Sequence, residues 1–150
     1  MGRRRRFKRL EAGNQPRFLT FTCYRRLQLL GTPRIRDHFM KYLGEALSRH
    51  AVRVLAWVVM PEHAHLVLLP DHEGAITRFL IGFKRPFAQS LLVRWRERNA
   101  PVLPRLARPN GSHRFWQTGG GYDRILHGNE LFEKIAYCHQ NPVRRNLVAT

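Results

Sequence analysis

Two histidines stand one residue apart inside an apolar run that covers residues 57–69 of the sequence. They are His63 and His65, with Ala64 between them and Leu66 after them. Successive side chains of a β-strand point to opposite faces, so a strand here places both imidazoles on one face and the apolar residues on the other. Two imidazoles on one face can bind a metal ion, but a catalytic ion needs a third ligand and open positions.

A tyrosine and an asparagine lie four residues apart near the other end of the sequence. Tyr137 and Asn141 share one face of a helix. Pro142 predicts that this helix ends at Asn141, because the residue before a proline disfavours the α conformation. If the helix end packs beside the two imidazoles, the site holds two ring nitrogens, one amide oxygen and one phenol. Gln140, about 60° from the shared face, is a rival third ligand.

The composition predicts one folded domain with a polyanionic partner. The chain has 150 residues, 43% of them hydrophobic, and a formal net charge of +17. A basic arm at about residues 1–16 contains a run of four arginines and is expected to become ordered on a phosphate backbone. We expect no signal peptide and no membrane span, and therefore a cytoplasmic, nucleoid-associated protein. The two cysteines form no CxxC pair.

The hydropathy pattern predicts the elements that must position these residues. Their order is β-α-β-β-α-loop-β-α, with strands at 17–24, 52–59, 64–69 and 122–126. Helices are predicted at 33–50, at 74–98 with a kink or split at Pro86, and from Asn129 as N-cap to Asn141. Residues 99–112 are predicted to form a loop. We therefore predict an α+β fold, a ferredoxin-like antiparallel sheet with helices packed on one face.

The two motifs together resemble those of the single-tyrosine HUH transposases. Residues 60–67 resemble their histidine–hydrophobic–histidine motif, and residues 137–148 resemble their C-terminal tyrosine motif. More narrowly, the chain resembles the REP-associated tyrosine transposases, a branch related to the IS200/IS605 elements, from about residue 17 to residue 148. The chain departs from the family pattern at Glu62, where asparagine is usual, and at Asn146, where glycine is common.

This resemblance implies an HUH endonuclease fold and a DNA strand-transfer reaction. It implies that His63, His65 and Asn141 bind Mg²⁺ or Mn²⁺, and that Tyr137 attacks a scissile phosphate at a single-stranded DNA hairpin end. The products are a 5′-phosphotyrosine and a free 3′-hydroxyl. Tyr122 is the fallback nucleophile. The partners are DNA hairpins, and the protein is expected to be a monomer or a homodimer.

Basic residues supply the candidate DNA contacts. One group lies in the arm, one on the second helix and one just after the tyrosine motif. A solubilising tail and a solvated helix face are the alternatives for the first two groups. The candidates are Arg3, Arg4, Arg5, Arg6, Lys84, Arg85, Arg144 and Arg145.

Three other functions compete with the transposase hypothesis. The first is a domesticated relative that binds structured DNA without cutting it. The second is a relaxase or replication-initiation nuclease, although relaxases carry their tyrosine before the histidine cluster. The third is a metal-dependent RNA nuclease, although attack by a 2′-hydroxyl would need no tyrosine.

Overall fold

The computed structural model describes residues 14–118 and 122–145, with only the backbone of Tyr122, Val143 and Arg144. Most of the basic arm, including its run of four arginines, lies outside the described residues. The elements are β1 Arg17–Thr22, α1 Pro33–Arg49, β2 Val52–Val59, β3 His63–Pro70, α2 Ala75–Glu97, α3 Leu103–Leu106, β4 Tyr122–Ile125 and α4 Glu130–Arg144. A short 3₁₀ turn, Tyr24–Arg26, follows β1.

The four strands form one sheet in the order β2-β3-β1-β4, and every neighbouring pair is antiparallel. β3 therefore lies between β1 and β2, as in the split βαβ arrangement of ferredoxin-like folds. A tight turn at residues 60–62 joins β2 to β3, at the position where Pro61 predicted a break. The predicted fold class and the order of the main elements are confirmed.

The helices α1 and α2 cover one face of the sheet. Ala64, Leu66 and Leu68 of β3 point to this face and are fully buried. They pack with Leu19 and Phe21 of β1 in a cluster rich in aromatic rings. The fully buried phenylalanines of this cluster are Phe39, Phe79, Phe83, Phe87 and Phe115.

The helix α4 covers the opposite face, so the prediction that the helices pack on one face was wrong. Phe18 and Val67, which lie opposite each other in the β1–β3 register, pack there with Cys138 of α4. The physical reason is the two-sided character of β3, in which every residue from Ala64 to Leu68 is buried. A strand buried on both sides needs a cover on both sides, because exposed apolar surface is unfavourable.

Both prolines predicted to disturb helices lie inside continuous ones. Pro86 lies at an exposed position of α2, whose opposite side stays buried through Phe83 and Phe87. Pro142 lies in the last turn of α4, which continues to Arg144 rather than ending at Asn141. A proline so near a helix end removes only one backbone hydrogen bond, and the packing of the helix face outweighs that loss.

A short helix interrupts the segment predicted to be a loop. This is α3, where Leu106 is fully buried against the aromatic cluster. In the described ranges, no helix combines the length and apolar character that a membrane span requires.

Candidate active site

The register of β3 places both histidines on the face covered by α4. His63 lies opposite Thr22 of β1, and His65 lies opposite Thr20. The centroids of the two imidazole rings are 4.6 Å apart, and the ring planes are inclined by 70°. The predicted pairing of the histidines on one face is therefore confirmed, with Ala64 buried on the other face.

The His65 ring is held so that one nitrogen has no partner. Its Nδ1 lies 2.8 Å from the hydroxyl oxygen of Thr20, and Phe18 stacks on the ring at a centroid distance of 5.2 Å. Within the described part of the chain, its Nε2 is buried without a hydrogen-bond partner. When Nδ1 carries the proton and donates it to Thr20, the lone pair of Nε2 is available to a metal ion.

Burial keeps both imidazoles neutral. It lowers the pKa of His65 from its ordinary value of 6.5 to about 3, and the positive charge of Lys134 acts in the same direction. Burial also lowers the pKa of His63, although the neighbouring carboxylate of Glu62 partly opposes this. Because metal ligation requires neutral imidazole, the site is in the state that a cation needs.

The tyrosine predicted as nucleophile lies directly beside these rings. Tyr137 is half-buried on α4, and its ring centroid is 5.4 Å from that of His65 and 6.1 Å from that of Phe18. The ammonium nitrogen of Lys134, one turn earlier on the helix, is 5.3 Å from the centre of the tyrosine ring. This geometry is a cation–π contact between the ammonium and the face of the ring.

The next residue in the helix does not compete as a nucleophile. Burial raises the pKa of the Cys138 thiol to about 11, and the opposing influence of Lys134 is smaller. At neutral pH the group is therefore a protonated thiol, which is a poor nucleophile.

Asn141 and Gln140 differ in where the helix places them. Asn141 is buried, with 6% of its surface exposed, and lies one turn after Tyr137 on the side that faces the sheet. Gln140 is exposed. Among residues 14–118 and 122–145, no three His, Cys, Asp or Glu side chains are arranged to hold a metal ion. Of the two candidate third ligands, Asn141 is therefore the buried one and Gln140 the exposed one.

Two basic candidates line a cleft between α2 and the segment 113–118. Lys84 and Arg85 lie on its α2 side, and the cleft holds about 670 Å³. The Lys84 ammonium lies 5.6 Å from the centre of the Trp116 ring, which also borders the cleft. Arg114 adds a third positive charge. The residues that border this cleft combine cationic, aromatic and amide side chains, a set suited to nucleotides.

The remaining DNA-binding candidates do not border this cleft or lie outside the described region. Arg145 follows α4 and forms an ion pair with Glu62. The side chain of Arg144 and all of Arg3, Arg4, Arg5 and Arg6 lie outside the described residues, as does the side chain of Tyr122. Of Tyr122 the backbone is described, and it pairs with Thr20 in the sheet.

Sequence reasoning missed two of the side chains that shape the site. Thr20 contacts the His65 ring, and Lys134 lies beside the tyrosine. Lys134 stands three residues before Tyr137, so helical spacing could have identified it. Thr20 had no comparable signal, because its contact depends on the register between β1 and β3.

Comparison with known proteins places this arrangement in context. The family described as "Transposase IS200 like" matches residues 14–123, a range that includes both histidines and ends before α4. No curated protein matches the chain.

Two solved structures share the fold. One is a REP-associated tyrosine transposase bound to a REP hairpin, which is 20% identical, with a TM-score of 0.69 over 99% of this chain and 76% of that one. The other is a candidate transposase from Deinococcus radiodurans R1, which is 18% identical, with a TM-score of 0.54 over 93% of this chain and 97% of that one. Since the family match spans most of the sequence, the protein belongs to the IS200-like family of transposases.

Proposed function

We propose that this transposase cleaves and rejoins single-stranded DNA at hairpin ends through a covalent bond to Tyr137. The observation that carries the proposal is the packing of the tyrosine ring against the ring of His65, whose Nε2 is buried without a partner in the described region. This packing supports the proposal because the proposed nucleophile and a candidate metal-ligand atom lie on one face of the sheet.

The chain offers a donor set that fits a divalent cation. His63 and His65 would supply ring nitrogens, and Asn141 would supply an amide oxygen. Such a mixed set suits Mn²⁺ by ligand type, while Mg²⁺ is favoured by its preference for phosphate oxygens. When bound, the cation polarises the scissile phosphate and offsets charge on its oxygens.

The covalent step follows from the chemistry of the phenol. The Tyr137 oxygen loses its proton and forms a bond to phosphorus, while the bond from phosphorus to the 3′-oxygen breaks. The 3′-oxygen takes up a proton and leaves as a hydroxyl, and the downstream strand stays attached through its 5′-phosphate. Attack by a 3′-hydroxyl on this aryl ester reverses the step, so cleavage and rejoining need no nucleotide cofactor.

The substrate class follows from the charge of the chain and from the cleft. A net charge of +17 favours a polyanion. The cleft beside α2 presents Lys84, Arg85 and Arg114 as phosphate contacts and Trp116 as a ring on which an unpaired base can stack. The REP hairpin bound in a structure of the same fold makes REP-like hairpins, with the unpaired bases beside them, the substrate that we propose.

An end-labelled hairpin tests the proposal directly. The protein is incubated with Mn²⁺ or Mg²⁺ and a single-stranded hairpin that carries a label at either its 5′ or its 3′ end. We expect the 3′ label alone to migrate with the protein on a denaturing gel, and the 5′ fragment to end in an extendable 3′-hydroxyl. EDTA should abolish both products.

Peptide mapping then identifies the attached residue. We expect the DNA remnant on the peptide that contains Tyr137. Attachment to Tyr122 would identify a different nucleophile and contradict the mechanism. Tight hairpin binding without an adduct under any metal condition would instead identify the protein as a non-cleaving DNA-binding relative.

A further inference from the structure

We propose that Glu62 is a positioning residue that fastens the end of α4 to the β2–β3 turn and orients the ring of His63. This proposal deepens the proposed function, on which it rests, because it names a group that acts through the metal ligands and the tyrosine helix. In this proposal Glu62 does not contact DNA.

The carboxylate of Glu62 gathers donors from three parts of the chain. Its Oε1 lies 3.2 Å from the Nδ1 of His63, accepts a hydrogen bond from the Nη1 of Arg145, and lies 3.8 Å from the Nη2 of Arg26. Only 6% of the residue is exposed. These donors come from β3, from the end of α4 and from the 3₁₀ turn after β1.

The backbone around Glu62 fixes the starting point of its side chain. Its carbonyl accepts a hydrogen bond from the N–H of Cys23 at 2.8 Å, and the N–H of Met60 donates to the carbonyl of His63 at the same distance. The turn is therefore tied both to the end of β1 and across its own base. A carboxylate on so restrained a backbone can hold its partners in one geometry.

The contact with His63 decides which nitrogen the ring presents. A carboxylate accepts but cannot donate, so its neighbour Nδ1 must carry the proton. The lone pair then lies on Nε2, the same nitrogen that His65 leaves available on the neighbouring ring. Carboxylates behind metal-binding histidines commonly fix the ring and its tautomer in this way.

The contact with Arg145 restrains the last turn of α4, where Pro142 removes a backbone hydrogen bond. Pro142 has no N–H, so the last turn lacks the bond that would join this position to Cys138. The N–H of Arg145 donates to the carbonyl of Asn141 at 3.2 Å, and its side chain reaches Glu62. The carboxylate therefore holds the turn that contains Asn141, one turn from Tyr137.

The left-handed backbone of the 3₁₀ turn supports the same assignment. Arg25 and Arg26 have φ angles of 53° and 54°, a conformation that is costly for residues with a Cβ. The amide of Gln117 accepts from the N–H of Arg25 and helps to maintain it. Strained residues persist where the surrounding structure requires them, and Arg26 in this turn has its Nη2 3.8 Å from the Oε1 of Glu62.

A neutral isostere tests the proposal without DNA. We compare the wild type with Glu62→Gln, with Arg145→Gln, and with Asp71→Asn as the matched control. Asp71 also pairs with an arginine, Arg53, but both side chains are more than half exposed. The measurements are Mn²⁺ affinity by calorimetry, amide hydrogen exchange in the last turn of α4, and the tautomer of His63 from nitrogen chemical shifts.

We expect Glu62→Gln to weaken Mn²⁺ binding about 10-fold to 100-fold, the usual cost of losing a partner behind a metal ligand. It should also speed exchange in the last turn of α4. Arg145→Gln should reproduce the faster exchange with a smaller effect on Mn²⁺. Asp71→Asn should change neither. In a cleavage assay, Glu62→Gln should lower kcat while the KM for hairpin DNA stays within about twofold.

Two results would overturn the proposal. The first is a Glu62→Gln protein that matches Asp71→Asn in both exchange and Mn²⁺ affinity. The second is a wild-type His63 with its proton on Nε2, a measurement that needs no variant and stands even if Glu62→Gln does not fold. A wild type that never forms a DNA adduct, but shows the expected exchange and tautomer, would refute the proposed function and leave the role of Glu62 intact.

Discussion

The two faces of the sheet are built from the same strands and have opposite characters. The face under α1 and α2 is a network of aromatic rings in which Phe83 contacts Phe21, Phe39, Phe79 and Phe87. The face under α4 has a smaller apolar cluster around Phe18 and also buries polar side chains. Alternation along each strand lets one face form an apolar core while the other holds the candidate catalytic residues.

The difference has an energetic basis. Burying a polar group without a partner costs free energy, and the α4 face does so at the Nε2 of His65. The aromatic face buries large rings that each contribute favourable transfer and packing energy. Burial of the aromatic rings thus favours folding, whereas the unpartnered Nε2 of His65 opposes it.

Removal of the phenol hydroxyl should give the largest effect. Tyr137→Phe should reduce DNA cleavage at least about 1,000-fold, because it deletes the nucleophile, while the melting temperature changes little. Tyr42→Phe makes the same change among the aromatic rings of the other face. It should retain full cleavage, and equal loss of cleavage in both variants would show that the faces do not divide their roles.

Truncation of a ring in the aromatic network should mainly affect folding. Phe83→Ala should lower the free energy of unfolding by about 3–5 kcal/mol, since Phe83 is fully buried among other rings. Phe132→Ala removes the same side chain from α4, where it is 69% exposed, and should cost less than about 0.5 kcal/mol. Urea unfolding measures both changes.

Replacing one histidine on each face of the sheet should show that only the α4 face binds the metal ion. His65→Ala should weaken Mn²⁺ binding by at least about 100-fold, because it removes a ligand rather than its outer partner. His38, on the aromatic face, bonds through Nε2 to the Ser90 hydroxyl at 2.7 Å, and His38→Ala should leave Mn²⁺ affinity unchanged. Calorimetry on the metal-free proteins gives both affinities, and a weakened His38 variant would contradict the assignment.

Acidification should destabilise the metal-free protein through the α4 face. The pKa of His65 is about 3 in the folded state and 6.5 ordinarily, so between these values the unfolded chain binds a proton that the folded chain does not. The free energy of unfolding therefore falls as pH falls through this window, by up to about 1.4 kcal/mol per pH unit for this group. Urea unfolding of His65→Ala across the same window should show a shallower slope, and an unchanged slope would refute this origin.

Local patterns were sufficient to predict most of the elements. The apolar run at residues 57–69 predicted a strand at 64–69 and the shared face of the histidines, because side-chain direction in a strand follows from backbone geometry alone. Helical spacing likewise placed Tyr137 and Asn141 on one side of α4. The continuation of α4 through Pro142 was missed, because the rule for prolines takes no account of the packing that holds a helix in place.

The sequence by itself determined the pair of imidazoles, the tyrosine helix and the excess of positive charge, since each depends on residue type and short-range spacing. Only the tertiary structure decided that α4 covers the face opposite α1 and α2, so that Tyr137 reaches His65. It also decided that Thr20 contacts one imidazole and Glu62 joins the other to Arg145. Thr20 and His65 are 45 positions apart in the sequence, and Glu62 and Arg145 are 83 positions apart. Contacts over such separations depend on strand register and on which face of the sheet a helix covers.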